Sequence, residues 1–137
     1  MAEITDKPIN PQHIINDVKT TGSGCVATYV GLIRDYSRDK RVVSVEYQDT
    51  DGTARHKLQQ IEDEINQKWL VNNLSIVHRI GKLLIGDINL VIAIAAAHRQ
   101  EGFAACQYAV DRFKDLMPAH KIEAYLDGSI WEQEYSD

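Results

Sequence analysis

Apolar residues recur at helical spacing in three stretches of the chain. The first begins at Asn10-Pro11, where asparagine suits the N-cap and proline suits the first helical position. The second covers residues 54–69, with apolar side chains four, three, four and four residues apart. The third follows residue 98 and ends at Pro118. Its apolar face consists of Phe103, Cys106, Val110 and Phe113. The pattern therefore predicts three amphipathic helices.

Other stretches are β-branched or alternate between apolar and polar residues, which is typical of strands. Residues 25–34 and 88–97 are apolar almost throughout, so both are predicted to be buried strands, with 88–97 central. Asp127-Gly128 predicts a tight hairpin turn. The complete set of predicted extended segments is 25–34, 42–48, 74–80, 82–85, 88–97, 120–126 and 130–134. Their order among the helices predicts an α+β domain with a largely antiparallel sheet.

The totals narrow the class of protein. A length of 137 residues predicts one domain over 1–137. A net charge of -5 argues against a general nucleic-acid binder, so any anion site must be a local basic pocket. The polar N-terminus, the lack of a long apolar run and the two unpaired cysteines predict a cytoplasmic protein with free thiols. No His or Cys spacing predicts a metal site. The charged segment 35–41 is predicted to be a mobile loop.

Basic side chains follow two of the predicted strands. Arg34 ends the first strand, and His98 and Arg99 end the central one. A strand end is a rigid place from which to present a side chain, and the guanidinium group of arginine suits phosphate. These residues therefore predict an anion site. His98 suits a general acid or base, a phosphate ligand or a structural role, and the pair His78-Arg79 is as consistent with structure as with function.

Two lysines seven residues apart are candidates for catalysis. Lys114 falls at the edge of the apolar face of the third helix, and Lys121 follows where a strand begins. One interpretation of Lys114 is a stem that covers the core with its ammonium group in water. The other is a lysine in a partly dry pocket that acts as a nucleophile or a base.

Five segments in this order resemble one family, the large, catalytic subunit of molybdopterin synthase. They are VATYVGLIRD (26–35), VEY (45–47), IVHRIGKLLIGD (76–87), AAHRQEGFAACQYAVDRFK (96–114) and the P-x-x-K-x-E motif (118–123). Trp131, after the Asp-Gly turn, also fits. The resemblance covers about four-fifths of the chain, from residue 25 to 131, and its specificity lies in the order and spacing of the segments.

The resemblance implies an α/β-hammerhead fold with an additional antiparallel β subdomain, in a homodimer. It also implies a heterotetramer, in which each end of the dimer binds one small ubiquitin-like subunit. The thiocarboxylated C-terminal Gly-Gly tail of that subunit would enter a pocket on this chain. Two sulfur atoms would then pass to cyclic pyranopterin monophosphate, forming the dithiolene of molybdopterin. Metal would be added later by other proteins, so the resemblance implies no metal and no cofactor here.

The resemblance also assigns roles to single residues. Lys114 matches the helix lysine beside the incoming tail, and Lys121 matches its partner, so both are expected to be catalytic as well as substrate-binding. The expected substrate-binding set is Leu32, Ile33, Arg34, His98, Arg99, Lys114, Lys121, Ile122 and Glu123. His98 and Arg99 match the anion-binding pair, and Arg34 is a candidate for reaching across the dimer.

The chain departs from the family pattern before the second lysine. Ala119 and His120 stand where the family usually has an aromatic or aliphatic residue and then a tryptophan. This departure favours an alternative function, a non-catalytic homologue that binds the pterin or the partner. A third possibility is an unrelated lysine-dependent enzyme that forms a Schiff base.

Overall fold

The structure, a computed structural model, describes residues 1–133. Its elements in chain order are β1 (Ala2–Thr5), α1 (Pro11–Val18), β2 (Cys25–Leu32), β3 (Tyr36–Ser37), β4 (Lys40–Gln48), α2 (Ala54–Lys68), β5 (Asn73–Arg79), β6 (Gly81–Leu84), β7 (Ile88–Ala96), α3 (Arg99–Leu116), β8 (His120–Tyr125) and β9 (Ile130–Glu132). The predicted α+β class is confirmed. None of these helices is long and apolar enough to cross a membrane.

A four-stranded sheet in the order β1-β5-β7-β2 packs against the three helices. β1 runs parallel to β5, and the other neighbours are antiparallel. As predicted, β7 is an interior strand. Alternate side chains of β7 face opposite sides, which explains its continuous apolarity. Leu90, Ile92 and Ile94 pack with α2 and α3, while Val91, Ala93 and Ala95 pack with α1.

The strand predicted at 25–34 is confirmed for Cys25–Leu32, but the prediction that it is buried is wrong. β2 lies at the edge of the sheet and pairs only with β7 among the described strands. Val30 and Leu32 are 38% and 60% exposed. Apolar composition alone does not distinguish an interior strand from an edge strand with exposed apolar side chains.

The second sheet confirms the additional antiparallel β unit. β4 pairs along its length with β8, and it also pairs with β3 and β6, while β9 extends the sheet from β8. Its core contains Val45, Leu83 and Tyr125. Gly128 has a φ of 87°, as the predicted tight turn between β8 and β9 requires. Residue 134, the last of the predicted strand 130–134, lies outside the described residues.

Two extended segments were not predicted. β1 precedes the first helix, and the supposedly mobile loop 35–41 contains the β3–β4 hairpin. Arg38 and Asp39 form its two-residue turn, with φ values of 53° and 62°. Both values lie in the left-handed region, as in a type I′ turn, at a cost of roughly 1–2 kcal/mol for each residue that is not glycine. The missing Asn-Gly signature explains why the sequence did not reveal this turn.

The packing face of α3 only partly matches the predicted one. Its buried residues are Gly102, Ala105 and Ala109, whereas Phe103 is 67% exposed. A Cβ atom on Gly102 would lie 3.1 Å from Cys25 Sγ, so the helix approaches the sheet very closely at this point. Small side chains make the contact, and Cys106, Val110 and Phe113 pack beside them partly buried. The predicted face contained the larger apolar residues and left out the small ones that make the closest contact.

Candidate active site

Two adjoining cavities lie where α3 and β8 meet the two sheets. The first, of about 200 Å³, has an apolar wall that includes Val110, Phe113 and Met117. The second, of about 120 Å³, lies next to it. Tyr47, Asn89 and Lys121 line both cavities. The two cavities therefore share a wall, and Lys121 is part of that wall.

The end of α3 explains why the two lysines lie together. Met117 caps the helix in the left-handed conformation, with a φ of 46°, and Pro118 prevents the helix from continuing. The chain then turns back into β8. Lys114, in the last turn of the helix, and Lys121, near the start of β8, consequently line the same cavity. The structure thus brings together the two lysines that the sequence singled out.

Lys121 lies in an environment that disfavours its charge. Burial lowers the pKa of its ammonium group, and the positive charges of Arg34, Arg38 and Lys114 lower it further, while the Glu123 carboxylate opposes them. Within residues 1–133, the Lys121 side chain makes no hydrogen bond or ion pair, and the same holds for Lys114 and Arg34. Three neighbouring cations without internal partners form a site suited to an anionic ligand.

Four of the expected substrate-binding residues line the second cavity besides Lys121. Leu32, Ile33 and Arg34 reach it from the end of β2, and Glu123 reaches it from β8. Ile33 is buried, whereas Leu32 and Arg34 are exposed. Ile122 lies between Lys121 and Glu123 on the strand, so its side chain points to the opposite face, and it lines neither cavity.

His98 and Arg99 lie elsewhere. β2 and β7 are antiparallel, with Cys25 opposite Ala96, so the ends of these two strands are at opposite ends of the sheet. Arg99 begins α3 and Lys114 lies near its end, so that about 22 Å of helix separates them. The basic pair instead lines a surface depression with Gly24 and Gln100. The expectation that these strand ends gather in one pocket is therefore wrong within a single chain.

Arg38 was missed by the sequence analysis. Its guanidinium carbon lies 3.4 Å from the centre of the Trp131 ring, and its Nε lies 3.4 Å from Glu123 Oε1. The β3–β4 hairpin therefore closes over Glu123. A run of mixed charge such as 35–41 is usually solvated, and no residue spacing in it predicts the turn that aims Arg38 inward.

A buried polar group, His78, lines the first cavity together with the two lysines. His78 is fully buried, and its Nδ1 lies 2.7 Å from the Asn89 backbone oxygen. Because a carbonyl only accepts, Nδ1 carries the proton and Nε2 is an acceptor, for which residues 1–133 offer no partner. Burial lowers the pKa of His78 to about 4, so the ring is neutral at pH 7. Asn89 Nδ2 donates to the Tyr47 hydroxyl at 2.9 Å.

The departing residues Ala119 and His120 are both accommodated. Ala119 is buried and lines the first cavity. His120 is also buried, and its Nε2 lies 2.6 Å from Glu132 Oε1, an interaction that joins β8 to β9. Both lysines still line the cavity beside them. Among residues 1–133, no three His, Cys, Asp or Glu side chains are clustered so as to hold a metal ion.

Comparison with known sequences gives a consistent family match. A family model described as MoaE protein matches residues 4–116. The molybdopterin synthase catalytic subunit of Bacillus subtilis is 39% identical over 129 residues, which are 94% of this chain and 82% of that protein. The match therefore extends over nearly the full length of both.

Solved structures share the fold. The crystal structure of molybdopterin synthase from Staphylococcus aureus matches with a TM-score of 0.90 and 34% identity, covering 98% of this chain and 97% of that chain. A chain from the complex of subunits 1 and 2 of the molybdopterin-converting factor of Helicobacter pylori matches with a TM-score of 0.75. It covers 96% of this chain and 89% of that chain, and at 12% identity it shows the shared fold alone.

Proposed function

The chain belongs to the family of molybdopterin synthase catalytic subunits, which are enzymes of molybdenum cofactor biosynthesis, and we propose that its two cavities hold the two reactants of that synthesis. One reactant is the thiocarboxylated Gly-Gly tail of a small ubiquitin-like subunit. The other is cyclic pyranopterin monophosphate, which accepts two sulfur atoms to form the molybdopterin dithiolene.

The first cavity suits the tail. It is lined by both lysines and by apolar residues of α3, which suits an extended chain that ends in an anionic group. A Gly-Gly tail has no side chains to exclude. The apolar wall from α3 removes water from the tail, which strengthens the attraction of its thiocarboxylate to Lys114.

The second cavity suits the phosphorylated pterin. Arg34 is exposed at its mouth and has no ion-pair partner within residues 1–133, so its guanidinium group is free to bind phosphate. Leu32 and Ile33 provide apolar surface beside it. The cavity itself is small, so the substrate would extend outward over Leu32, which is 60% exposed.

The observation that carries this proposal is the position of Lys121 in the wall common to both cavities. A tail in one cavity and a pterin in the other meet at this side chain. Lys114 acts at the thiocarboxylate as a general acid or base, or stabilises the charge that develops during transfer. Lys121 orients the two reactants and assists, and its lowered pKa makes its proton easier to give up.

The test is a reconstituted assay with the purified chain, the thiocarboxylated small subunit and cyclic pyranopterin monophosphate. Lys114→Ala is expected to abolish dithiolene formation while leaving binding of the small subunit intact. Lys82→Ala is the matched control, because Lys82 is an exposed lysine that lines neither cavity. Full turnover by Lys114→Ala would contradict the assigned role. No turnover by the unmodified chain, with both ligands bound, would instead favour the non-catalytic binding protein.

His98 and Arg99 enter the proposal through a second copy of the chain. The proposed assembly is a homodimer within a heterotetramer, in which the basic pair of one copy completes the phosphate site of the other. β2 supports dimerisation, because it is an edge strand with exposed apolar side chains.

Co-expression of two inactive variants tests this arrangement. A dimer that mixes Lys114→Ala with Arg99→Ala has one intact site if the pair acts across the interface, so activity is expected to return. If Arg99 acts within its own chain, every site in the mixed dimer carries a defect and activity stays absent.

A further inference from the structure

Glu123 is a buried carboxylate beside the lysine that both cavities share. It is 4% exposed, and a carboxylate this deeply buried is stable only with partners. Within residues 1–133, all of its partners contact Oε1. The Ser37 hydroxyl donates to it at 3.1 Å, the Tyr125 hydroxyl at 3.4 Å, and Arg38 Nε lies 3.4 Å away. Two of the three partners, Ser37 and Arg38, come from the β3–β4 hairpin.

The hairpin holds Arg38 in place from several directions. The type I′ turn puts Arg38 in the left-handed region, with a φ of 53°. The flat guanidinium group stacks on Trp131 of β9 at 3.4 Å while its Nε faces Glu123. A residue with an unfavourable backbone angle keeps it only when its surroundings fix it. These contacts therefore fix the position of one positive charge next to Glu123.

Lys121 is a second cation that feels the charge of this carboxylate. Lys121 and Glu123 are two residues apart on β8, so their side chains leave the strand on the same face, and both line the second cavity. We propose that Arg38 is a positioning residue, which occupies Glu123 in an ion pair and thereby keeps the Lys121 ammonium group available to the reactants. This inference rests on the function proposed above for Lys121.

The charges around Lys121 give the expected direction of change. Arg34, Arg38 and Lys114 lower its pKa and Glu123 raises it, while Tyr47 lies opposite it on β4. Loss of Arg38 removes one positive charge and leaves Glu123 uncompensated, and both changes favour the protonated form of Lys121. Loss of Glu123 acts in the opposite direction.

Competitive acetylation with trace acetic anhydride at pH 8 measures the uncharged fraction of Lys121, with exposed Lys82 as the internal reference. Arg38→Asn is the central variant, because asparagine tolerates a left-handed φ and keeps the turn. Lys121 is expected to react roughly 3- to 10-fold more slowly in this variant. It should react faster in Glu123→Gln and return to within about twofold of the original rate in the double variant.

Two further variants separate charge from packing. Arg38→Lys keeps the positive charge and is expected to preserve the reactivity of Lys121. Arg41→Asn removes an exposed arginine of the same hairpin that pairs with Asp35, and it should have no effect. Asparagine is shorter than arginine, so Arg38→Asn would expose Lys121 more to the reagent and speed its labelling. Slower labelling therefore cannot result from reduced access.

An unchanged or faster rate in Arg38→Asn would overturn the proposal, as would a double variant that stays as slow as Arg38→Asn. The labelling requires no turnover, so its result is separate from that of the reconstituted assay. If the labelling cycle holds while Lys121 variants keep full turnover, the arrangement of charges stands and the catalytic role of Lys121 fails.

Discussion

Arg112 and Lys114 lie two residues apart on α3, but Arg112 is paired within the fold and Lys114 is not. Arg112 pairs with Glu64 of α2 through Nε at 2.8 Å and Nη2 at 3.1 Å, and the Tyr108 hydroxyl donates to the same carboxylate at 2.6 Å. These hydrogen bonds lower the pKa of Glu64 to about 2 and raise that of Arg112. Lys114 has no such partner within residues 1–133.

The difference separates two uses of charge. The Arg112 cluster joins two helices, and its members are satisfied by one another, so it contributes to stability and offers little to a ligand. Lys114 is exposed and Lys121 is partly buried, and neither is paired within residues 1–133. Burial disfavours the charge of Lys121, and both charges remain available to a ligand. Substitution of Arg112 should therefore change the free energy of unfolding, whereas substitution of either lysine should change turnover.

The largest effect is expected from Lys121→Met. Methionine keeps the length and apolar stem of the side chain but removes the ammonium group. Turnover is expected to fall roughly 10²- to 10⁴-fold, the range for loss of a group that takes part in proton transfer. The free energy of unfolding, measured in urea, should not fall, because the charge that is removed is one that burial disfavours. A loss of stability in proportion to the loss of turnover would assign Lys121 to the structural group with Arg112.

His78 sharpens the comparison, because it is buried beside the lysines but uncharged. Its pKa is near 4 in the folded chain and about 6.5 in the unfolded chain, so the unfolded chain takes up a proton first as pH falls. Stability should be highest above pH 6.5 and decline towards pH 4, by up to about 3 kcal/mol well below that pH. Urea unfolding at several pH values measures this. His78→Asn should flatten the decline, whereas His13→Asn, at an exposed position, should not.

Arg112→Ala is expected to lower the free energy of unfolding by about 1–2 kcal/mol, since the ion pair is partly buried and has good hydrogen bonds. Turnover should stay unchanged. Glu64 stabilises the folded chain above its unfolded pKa near 4.5, and this contribution disappears as pH falls towards 2, so the variant and the original chain should converge in acid. Arg55→Ala, on the exposed face of α2, is the control. A deficit that persisted at pH 2 would contradict this origin.

The smallest effect is expected at Phe103, on a third side of α3. Phe103→Ser should change the free energy of unfolding by less than about 0.5 kcal/mol, because the ring is 67% exposed. Ala109→Leu, on the face that packs against the sheet, should cost about 1–3 kcal/mol through overpacking. Equal losses from the two substitutions would mean that Phe103 also belongs to the packed face of α3.

Local signals in the sequence predicted much of the fold. The Asn10 cap, the spacing of α2 and the turn at Gly128 each depend on neighbouring residues, and each prediction is confirmed. Strand order does not depend on neighbours in this way. Whether Arg34 and Arg99 end at the same or opposite edges of the sheet follows from the antiparallel pairing of β2 with β7, which no local pattern contains.

The candidate site shows the same division between local features, which were predicted, and long-range contacts, which were not. Lys114 and Lys121 share a cavity because a single chain reversal, marked by Pro118, connects them. Arg38 and His78 reach the site through long-range packing, against Trp131 and Glu123 in one case and between Tyr47 and Phe113 in the other. The sequence displays these residues but not their surroundings.

The wall that the two cavities share has a consequence for the order of events. An anion bound near Arg34 would stabilise the ammonium form of Lys121, and that form would attract a second anion into the neighbouring cavity. The factor by which the first ligand raises the affinity for the second equals the factor by which the second raises the affinity for the first. If the two reactants occupy these cavities as proposed, their binding is expected to be cooperative through Lys121.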